Sequence, residues 1–366
     1  MFYELKRQIE YFLKNKIYMA SLIIAAIAGY GYEITHSSLG IDDVCIGLYF
    51  DDGLGVSIGR WPFYVINKIF HVTEFEPFIL EFIAVLIFMF AAIVWSAMLK
   101  YVLGDRLPIA CYAVFSAMFL DYSLIAEVFI YYLQNGVPAI YTLTGVAIFD
   151  FYYLYTHTLE RKQRIWHKLG MSLMVSVAIG FYEAAANVFL TGVLLLMIVD
   201  CFAAAHMGIR RFKPFFLTLF LAGRILVYAI LERSVITRIC MAVFGIQQYS
   251  YRSAGSMLRI LKYPGRILTI IRQILRDYVF VGLAYYPIGL FVVASILFVI
   301  IILAAAVKKR NVYILFLGIL CYGSIFILSL PQGDALPYRS NLMIALLVAM
   351  VLFCLTYLIL NSRYRL

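Results

Sequence analysis

The sequence has few charged residues for its length. Only 14% of its 366 residues are Asp, Glu, Lys or Arg, whereas a soluble domain carries about 25%. The mean hydropathy is +0.93, and apolar runs of about 20 residues recur along the chain, as membrane-crossing helices require. These runs are continuous rather than alternating, which argues against a membrane β-barrel. The composition therefore excludes an ordinary soluble enzyme.

Motifs of soluble nucleotide-binding and metal-dependent enzymes are also missing. The chain contains no Walker loop, no GxGxxG and no HExxH. Its six cysteines show no CxxC spacing, so these cysteines do not predict a zinc site. Cys45 and Cys240 both fall in segments that we place outside the cytoplasm, and a disulfide between them stays an open alternative.

The apolar segments can be laid out as ten transmembrane helices. They run over residues 17–34, 76–103, 107–123, 137–157, 168–182, 184–205, 213–232, 281–306, 312–330 and 341–361. With this layout every turn on the cytoplasmic side is basic, as the positive-inside rule requires. We therefore predict an all-α integral membrane protein, a polytopic bundle in one domain over residues 1–366, with both termini in the cytoplasm.

The outer face is predicted to be acidic. In this layout 13 of the chain's 20 acidic residues lie on or near the outer side, and they come from every outer loop. A helical bundle brings loop ends together, so we expect a polar site at the outer membrane surface. Histidines are scattered along the chain and none is assigned a role.

The first outer loop, residues 35–75, contains two pairs of aspartates. Within IDDVCIGLYFDDGLGVSIGRW the pairs are Asp42 with Asp43 and Asp51 with Asp52. A carboxylate here is suited to take a proton from an acceptor hydroxyl. Adjacent carboxylates also suit a divalent metal, which stays an alternative, although no cofactor is firmly implied. The second pair and the glycine after it form a good turn, so a structural role for that pair is also open.

An aromatic stretch follows the acids. Arg60 is followed by WPFYVINKIF, which begins at Trp61. This stretch predicts a short surface helix opened by proline. Aromatic residues at this depth are normal interfacial anchors. The same surface is also suited to a polyprenyl tail.

Residues 233–280 form a basic outer segment that departs from the positive-inside pattern. This segment has eight cations and the single acid Asp277. On a helical wheel Arg259, Lys262 and Arg266 share an arc that lies opposite isoleucines and leucines, a pattern typical of an interfacial amphipathic helix. Adhesion to anionic lipid is one interpretation. The other is that some of these cations hold a substrate phosphate, because arginine forks suit phosphate oxygens.

Two further cations are candidates for the same role. Arg224 lies in the seventh predicted span, where an arginine usually faces a polar cavity or an acid partner. Structural pairing and contact with a substrate phosphate are both open for it. Arg339 lies at the outer end of the last span and could reach the same site.

Several sequence features, in chain order, resemble one known family. A first span ends in GYGYEITHSSLG, IDD and a glycine-rich stretch follow, and SIGRW leads into the surface helix. A YE turn comes later, in AIGFYEAAANVFLTG. Over essentially the whole chain the sequence resembles the Gtr type II glucosyltransferases, which modify O-antigens and related surface polymers of bacteria. These proteins look like members of the GT-C class of multi-spanning glycosyltransferases.

The resemblance implies an activity, a location and partners. It implies a hexosyltransferase of the bacterial inner membrane that takes a sugar, glucose by the family's name, from a polyprenyl phosphate outside the cytoplasm. The expected partners are this donor, a glycan acceptor and membrane lipid, and not nucleic acid. Carried onto this chain, the general base would be Asp42 or Asp43, with inversion at the sugar carbon.

The other candidate residues are assigned to substrate binding. Glu127 and Glu183 would orient sugar hydroxyls. The remaining substrate-binding candidates are Asp51, Asp52, Arg60, Trp61, Arg224, Arg259, Lys262, Arg266 and Arg339.

Two alternative functions remain. A flippase or transporter of lipid-linked sugars needs polar groups at both faces, whereas here they gather at one. An O-antigen polymerase would act on the same face and would use a large basic outer loop, which this chain has. The acid pairs of the first loop favour transfer from a monophosphate donor.

Overall fold

The computed structural model describes most of the chain. The described residues are 1–36, 53–70, 77–105, 107–122, 125, 136–204, 215–247, 259–279, 288–309, 311–336 and 340–363. Within these ranges the protein consists of helices and turns and has no strand. The predicted all-α class is therefore confirmed over the described part of the chain.

Sixteen α-helices and one 3-10 turn are seen in this part of the chain. In chain order they are α1 Phe2–Lys14, α2 Lys16–Thr35, α3 Gly53–Ser57, α4 Trp61–Ile69, α5 Pro77–Leu103, α6 Ile109–Leu120, α7 Val137–Thr156, α8 Arg161–Phe181, α9 Ala185–Ala204, α10 Phe215–Phe244, α11 Arg259–Lys262, α12 Arg266–Val279, α13 Ile288–Lys309, α14 Tyr313–Gly323, the 3-10 turn Ser324–Phe326, α15 Ser329–Gln332 and α16 Met343–Arg363.

Each of the ten predicted spans overlaps one of these helices. Four of them, α5, α7, α9 and α13, are long and apolar enough to cross a membrane. A fifth is counted if α1 and α2, which meet at an angle of 79°, are taken as one broken span. Shorter apolar helices lie within α6, α14 with its 3-10 turn, and α16. The apolar helices are typical of a membrane protein, and ten transmembrane helices stay a prediction.

The core is formed where α5, α7 and α9 pack closely. Trp95 of α5 is fully buried, and its indole N–H donates to the Tyr141 carbonyl of α7 at 2.9 Å. Gly145 of α7 and Gly192 of α9 lie against this ring, and a Cβ on Gly192 would overlap the indole and Ile148. Small residues allow this close approach, as they do between membrane helices generally.

Helix α10 extends past the end of the seventh predicted span. That span is predicted over residues 213–232 and the basic segment from residue 233, and α10 continues as one helix to Phe244. The sequence from 233 to 244 contains no glycine or proline to end a helix. Gly245 then adopts a φ of +68°, which is a common way to end one. A change from apolar to charged residues indicates that the chain passes from an apolar to a polar environment. It does not by itself end a helix.

The rest of the basic segment agrees better with the prediction. The predicted amphipathic segment contains helices, interrupted at Pro264-Gly265, where α11 ends at Lys262 and α12 begins at Arg266. On α12, Ile270 and Ile274 are buried, and the helix contacts α13 and α15.

The two short helices after the first loop lie on longer ones. Helix α3 contacts α10, and α4 contacts α8. Tyr64 of α4 meets Phe244 of α10 edge to face, with ring centroids 5.0 Å apart. This packing holds the residues around Arg60 against the C-terminal halves of α8 and α10.

Candidate functional site

Three charged side chains from distant parts of the chain meet where α4, α8 and α10 come together. Arg60 precedes α4, Glu183 lies in the turn between α8 and α9, and Arg233 lies on α10. One Glu183 carboxylate oxygen is 3.1 Å from Arg233 Nη2, and the other is 3.5 Å from Arg60 Nη2. All three side chains are less than a fifth exposed. We refer to Arg60, Glu183 and Arg233 as the arginine–glutamate junction.

The backbone between α3 and α4 shapes this junction. The Arg60 amide donates to the Gly55 carbonyl at 2.7 Å, which closes a tight turn. Gly59 in this turn has a φ of +91°, a conformation that favours glycine. Arg233 donates to the Ile58 and Gly59 carbonyls at 3.2 and 3.3 Å. A Cβ on Gly59 would overlap the Arg233 guanidinium, so this residue must be small as well as left-handed.

Tyr182 connects the junction to the start of the last helix. The Arg60 guanidinium carbon lies 4.6 Å from the centre of the Tyr182 ring, in a cation–π arrangement. The Tyr182 hydroxyl shares a 2.8 Å hydrogen bond with the Ser340 hydroxyl, and both residues are buried. The YE pair that contributes to the family resemblance therefore supplies two neighbouring contacts to Arg60.

The junction combines two guanidinium groups with one carboxylate. Arginine pairs readily with phosphate and carboxylate oxygens through parallel N–H groups. The Nε of Arg60 is buried and has no hydrogen-bond partner within the described structure. A buried donor without an acceptor raises the free energy of the folded protein, so this N–H group favours binding of an acceptor. The arrangement suits a bound anion.

The structure brings together three of the predicted site residues. Arg60 and Glu183 are joined directly, and Trp61 follows Arg60 at the start of α4. The indole of Trp61 lies beside Gly180 at the end of α8, three residues before Glu183. These residues are far apart in sequence, and only the packing of α4 on α8 makes them neighbours.

Other predicted site residues lie elsewhere on the described structure. Arg224 lies on the exposed side of α10, where it donates to the Tyr228 hydroxyl at 3.1 Å and flanks the ring of Phe220. Lys262 is exposed, and Arg266 donates to the Gly333 carbonyl at 3.2 Å. Among the residues that the structure describes, none of these three cations is hydrogen-bonded to the arginine–glutamate junction.

Several predicted site residues cannot be related to the junction. Those outside the described residues are Asp42, Asp43, Asp51, Asp52, Glu127 and Arg339, and for Arg259 the side chain is outside them. Cys45 is outside as well, while Cys240 is a buried free cysteine. No group of three potential metal ligands occurs in the described ranges.

Sequence reasoning missed Arg233, Tyr182 and Ser340. Arg233 was noted only as one of eight cations in the basic segment, because the seventh span was ended one residue before it. A usable signal was present, since Glu232 and Arg233 come directly after an apolar run that has no helix breaker after it. Tyr182 was noted only as part of the YE turn, and no role in the site was assigned to it. Ser340 gave no signal, because a single serine at the end of an apolar segment is common.

Comparison with known proteins gives one match. The family model described as Glucosyl transferase GtrII matches residues 31–362, which is nearly the whole chain. No curated protein and no solved structure matches the chain. The matched range includes the first-loop acids and all three residues of the arginine–glutamate junction. The resemblance noted in the sequence is thereby confirmed, and the chain belongs to the glucosyl transferase GtrII family.

Proposed function

We propose that this chain is a membrane glucosyltransferase that moves glucose from a polyprenyl-phosphate donor to a surface glycan such as O-antigen. The proposed place of reaction is the outer side of the bacterial inner membrane. Family membership supports the sugar and the reaction class. The observation that carries the donor assignment is the pair of mostly buried arginines on Glu183, because such a pair suits a phosphate group.

In this proposal the junction binds the donor phosphate. Glu183 holds the guanidinium groups of Arg60 and Arg233 on its two carboxylate oxygens, and so sets the spacing between them. The unpaired Nε–H of Arg60 is available to one phosphate oxygen. Because the site is mostly buried, these charges act through a lower dielectric than they would in water. They would stabilise the negative charge on the phosphate as it leaves.

The first-loop acids supply the base. Asp42 or Asp43 takes the proton from an acceptor hydroxyl, whose oxygen bonds to the anomeric carbon of glucose. The bond from that carbon to the phosphate oxygen breaks, and polyprenyl phosphate leaves with the electron pair. Attack from the side opposite the phosphate inverts the sugar carbon. Asp52 directly precedes α3 in the chain. The Ile58 and Gly59 carbonyls, which follow α3, accept hydrogen bonds from Arg233, so only this short helix separates the acid pair from the junction in sequence.

The remaining candidates keep secondary roles in the proposal. Glu127 would orient sugar hydroxyls, and Arg339, next to Ser340 in the chain, would add a cation. Arg224 and the cations of α11 and α12 are assigned to the lipid surface or the polyprenyl tail. The exposure of Arg224, Lys262 and Arg266 supports this assignment.

Transfer assays with first-loop variants test the proposal. Purified protein in lipid would receive polyprenyl-phosphate glucose labelled in the sugar, together with a glycan acceptor. We expect Asp42→Asn or Asp43→Asn to lower kcat by about 100-fold or more, as loss of a general base does. Asp334→Asn serves as the control, because Asp334 is an exposed acid that bonds only its own loop among described residues. Full activity in both first-loop variants would contradict the assignment of the base.

A further inference from the structure

Three buried polar atoms without partners follow the face of α8 away from the arginine–glutamate junction. They are Trp61 Nε1, Ser176 Oγ and Glu232 Oε2, and none has a hydrogen-bond partner among the described residues. Trp61 is on α4, Ser176 on α8 and Glu232 on α10. Buried polar atoms are nearly always paired with protein or water, so an unpaired set on three helices that pack together indicates a place for a bound polar molecule.

The geometry of α8 places these atoms in one row. Ser172, Ser176 and Gly180 are spaced four residues apart, so they lie on one face of the helix. At one end, the Ser172 hydroxyl donates to Glu232 Oε1 at 2.8 Å. At the other end, Gly180 lies against the Trp61 indole nitrogen and the Pro62 ring. Ser176, fully buried, is therefore between the contact with α10 and the contact with α4.

The row begins close to the junction. Gly180 is three residues before Glu183, and Ser176 is one helical turn further along, about 6 Å. Glu232 is also the chain neighbour of Arg233. A group bound at the junction that extends by about one helical turn along α8 would therefore reach Ser176.

The chemistry of the row fits a ring that carries several hydroxyl groups. The Glu232 carboxylate oxygen only accepts hydrogen bonds, the Trp61 indole only donates, and the Ser176 hydroxyl does both. A sugar hydroxyl both donates and accepts, so the hydroxyls on different sides of one hexose ring can satisfy the set. Neither an acyl tail nor a second anion can do this, because the first has no polar groups and the second would be repelled by Glu232.

The geometry points to a hexose-binding subsite made by Trp61, Ser176 and Glu232, which holds the hydroxyls of the donor glucose beside its phosphate. This inference rests on the proposed function, because the position of the glucose ring follows from binding of the donor phosphate at the junction. It assigns sugar specificity to one residue each on α4, α8 and α10, and not to the acid pairs of the first loop. The acceptor glycan also carries hexoses, and the experiment below separates these two sources.

Binding of deoxy donors tests the subsite. Equilibrium Kd values would be measured in lipid for polyprenyl-phosphate glucose and for its 2-, 3-, 4- and 6-deoxy analogues. The proteins would be wild type, Glu232→Gln, Ser176→Ala and Trp61→Phe. In wild type we expect removal of one particular hydroxyl to raise Kd about tenfold, the cost of leaving a buried partner unpaired. In the variant that lacks that partner, the same deoxy donor should bind no worse than glucose donor.

Controls separate this result from general damage. Ser234→Ala is the matched variant on α10, because the Ser234 hydroxyl is exposed and bonds only the Ile230 carbonyl in the described structure. It should keep the wild-type preference among donors. Ser176→Ala removes one oxygen from a buried site and is the mildest of the three changes, so it keeps the test available if Glu232→Gln does not fold.

The possible outcomes are distinct. If each variant still binds every deoxy donor more weakly than the glucose donor, the effects of variant and deoxy donor on binding free energy are additive. This result would overturn the subsite, and the unpaired atoms would then be partners of ordered water. The same variants would also be tested with deoxy acceptors. If the variants change discrimination against deoxy acceptors and not against deoxy donors, the assignment of the subsite to the donor is overturned. If wild type transfers glucose while all three variants bind donor normally, only this inference fails. If wild type neither binds nor transfers any glucosyl donor, the proposed function fails.

Discussion

At the scale of single residues, Arg233 is the side chain by which α10 joins the arginine–glutamate junction. It bonds Glu183 and also the Ile58 and Gly59 carbonyls, so it joins α10 to both the α8–α9 turn and the segment after α3. Its side chain is only 11% exposed. Removing one partner of such a buried ion pair lowers the free energy of unfolding by more than the pair itself contributes, because the remaining charge is left buried and unpaired.

Replacement of Arg233 should therefore destabilise the protein. We expect Arg233→Met to lower the free energy of unfolding by about 2–3 kcal/mol, somewhat less than complete loss of a buried pair, because Arg60 still contacts Glu183. Arg238→Met on the exposed side of the same helix is the control and should change little. Thermal unfolding in detergent, followed by tryptophan fluorescence, compares the two. Equal melting temperatures would contradict the structural role of Arg233.

Gly59 gives a second residue-scale prediction. Gly59→Ala would strain a φ of +91° and would also push a methyl group into the Arg233 guanidinium. We expect a loss of about 1–3 kcal/mol in the free energy of unfolding. Gly245→Ala is the control, because Gly245 has a φ of +68° but open space around it. If both variants lose the same stability, contact with Arg233 adds nothing beyond backbone strain.

At the scale of helices, α10 combines roles that the sequence suggested were separate. Its first half carries Arg224 on an exposed face, and its second half carries Glu232, Arg233 and the surface that packs on α4. Because one rigid helix holds all of these, a change at α4 can reach both the junction and the row of unpaired atoms.

The close packing of α9 gives an element-scale prediction. Gly192 faces Ile148 of α7 and Trp95 of α5, and a side chain there would force the three helices apart. We expect Gly192→Val to reduce the yield of folded protein and to lower its melting temperature by several degrees, an overpacking effect of about 1–3 kcal/mol. Gly170→Val on α8, where nothing lies within 4 Å, is the control. Equal behaviour of both variants would contradict close packing at Gly192.

At the scale of the whole molecule, the fold was more predictable than the site. The ten apolar segments all coincide with helices because hydrophobic length and turn residues act locally. The continuation of α10 beyond residue 232 was not predicted, because the change to charged residues indicated only the end of the span. The contact between Arg60 and Glu183 was not predicted, although both residues were candidates, because it depends on how α4 packs on α8. Arg233 needed the same packing and also the correct end of α10.

The predicted orientation has its own test. Ser234→Cys, on the exposed side of α10 next to Arg233, should react with a membrane-impermeant maleimide in intact cells. Lys162→Cys, in the exposed N-terminal turn of α8, should react only after the membrane is opened. Both changes would be made in a chain whose six native cysteines are replaced by alanine. The reverse labelling pattern would place the arginine–glutamate junction on the cytoplasmic side and contradict the proposed site of reaction.

The most direct test of the account is whether purified protein transfers glucose or only moves its carrier. Sealed vesicles containing the protein and polyprenyl-phosphate glucose would be followed for labelled glucose on a glycan acceptor and for movement of the labelled donor between leaflets. The account predicts glycan labelling that depends on Arg60 and Arg233, without movement of the donor between leaflets. Movement of intact donor across the bilayer with no labelled glycan would contradict it and identify a flippase.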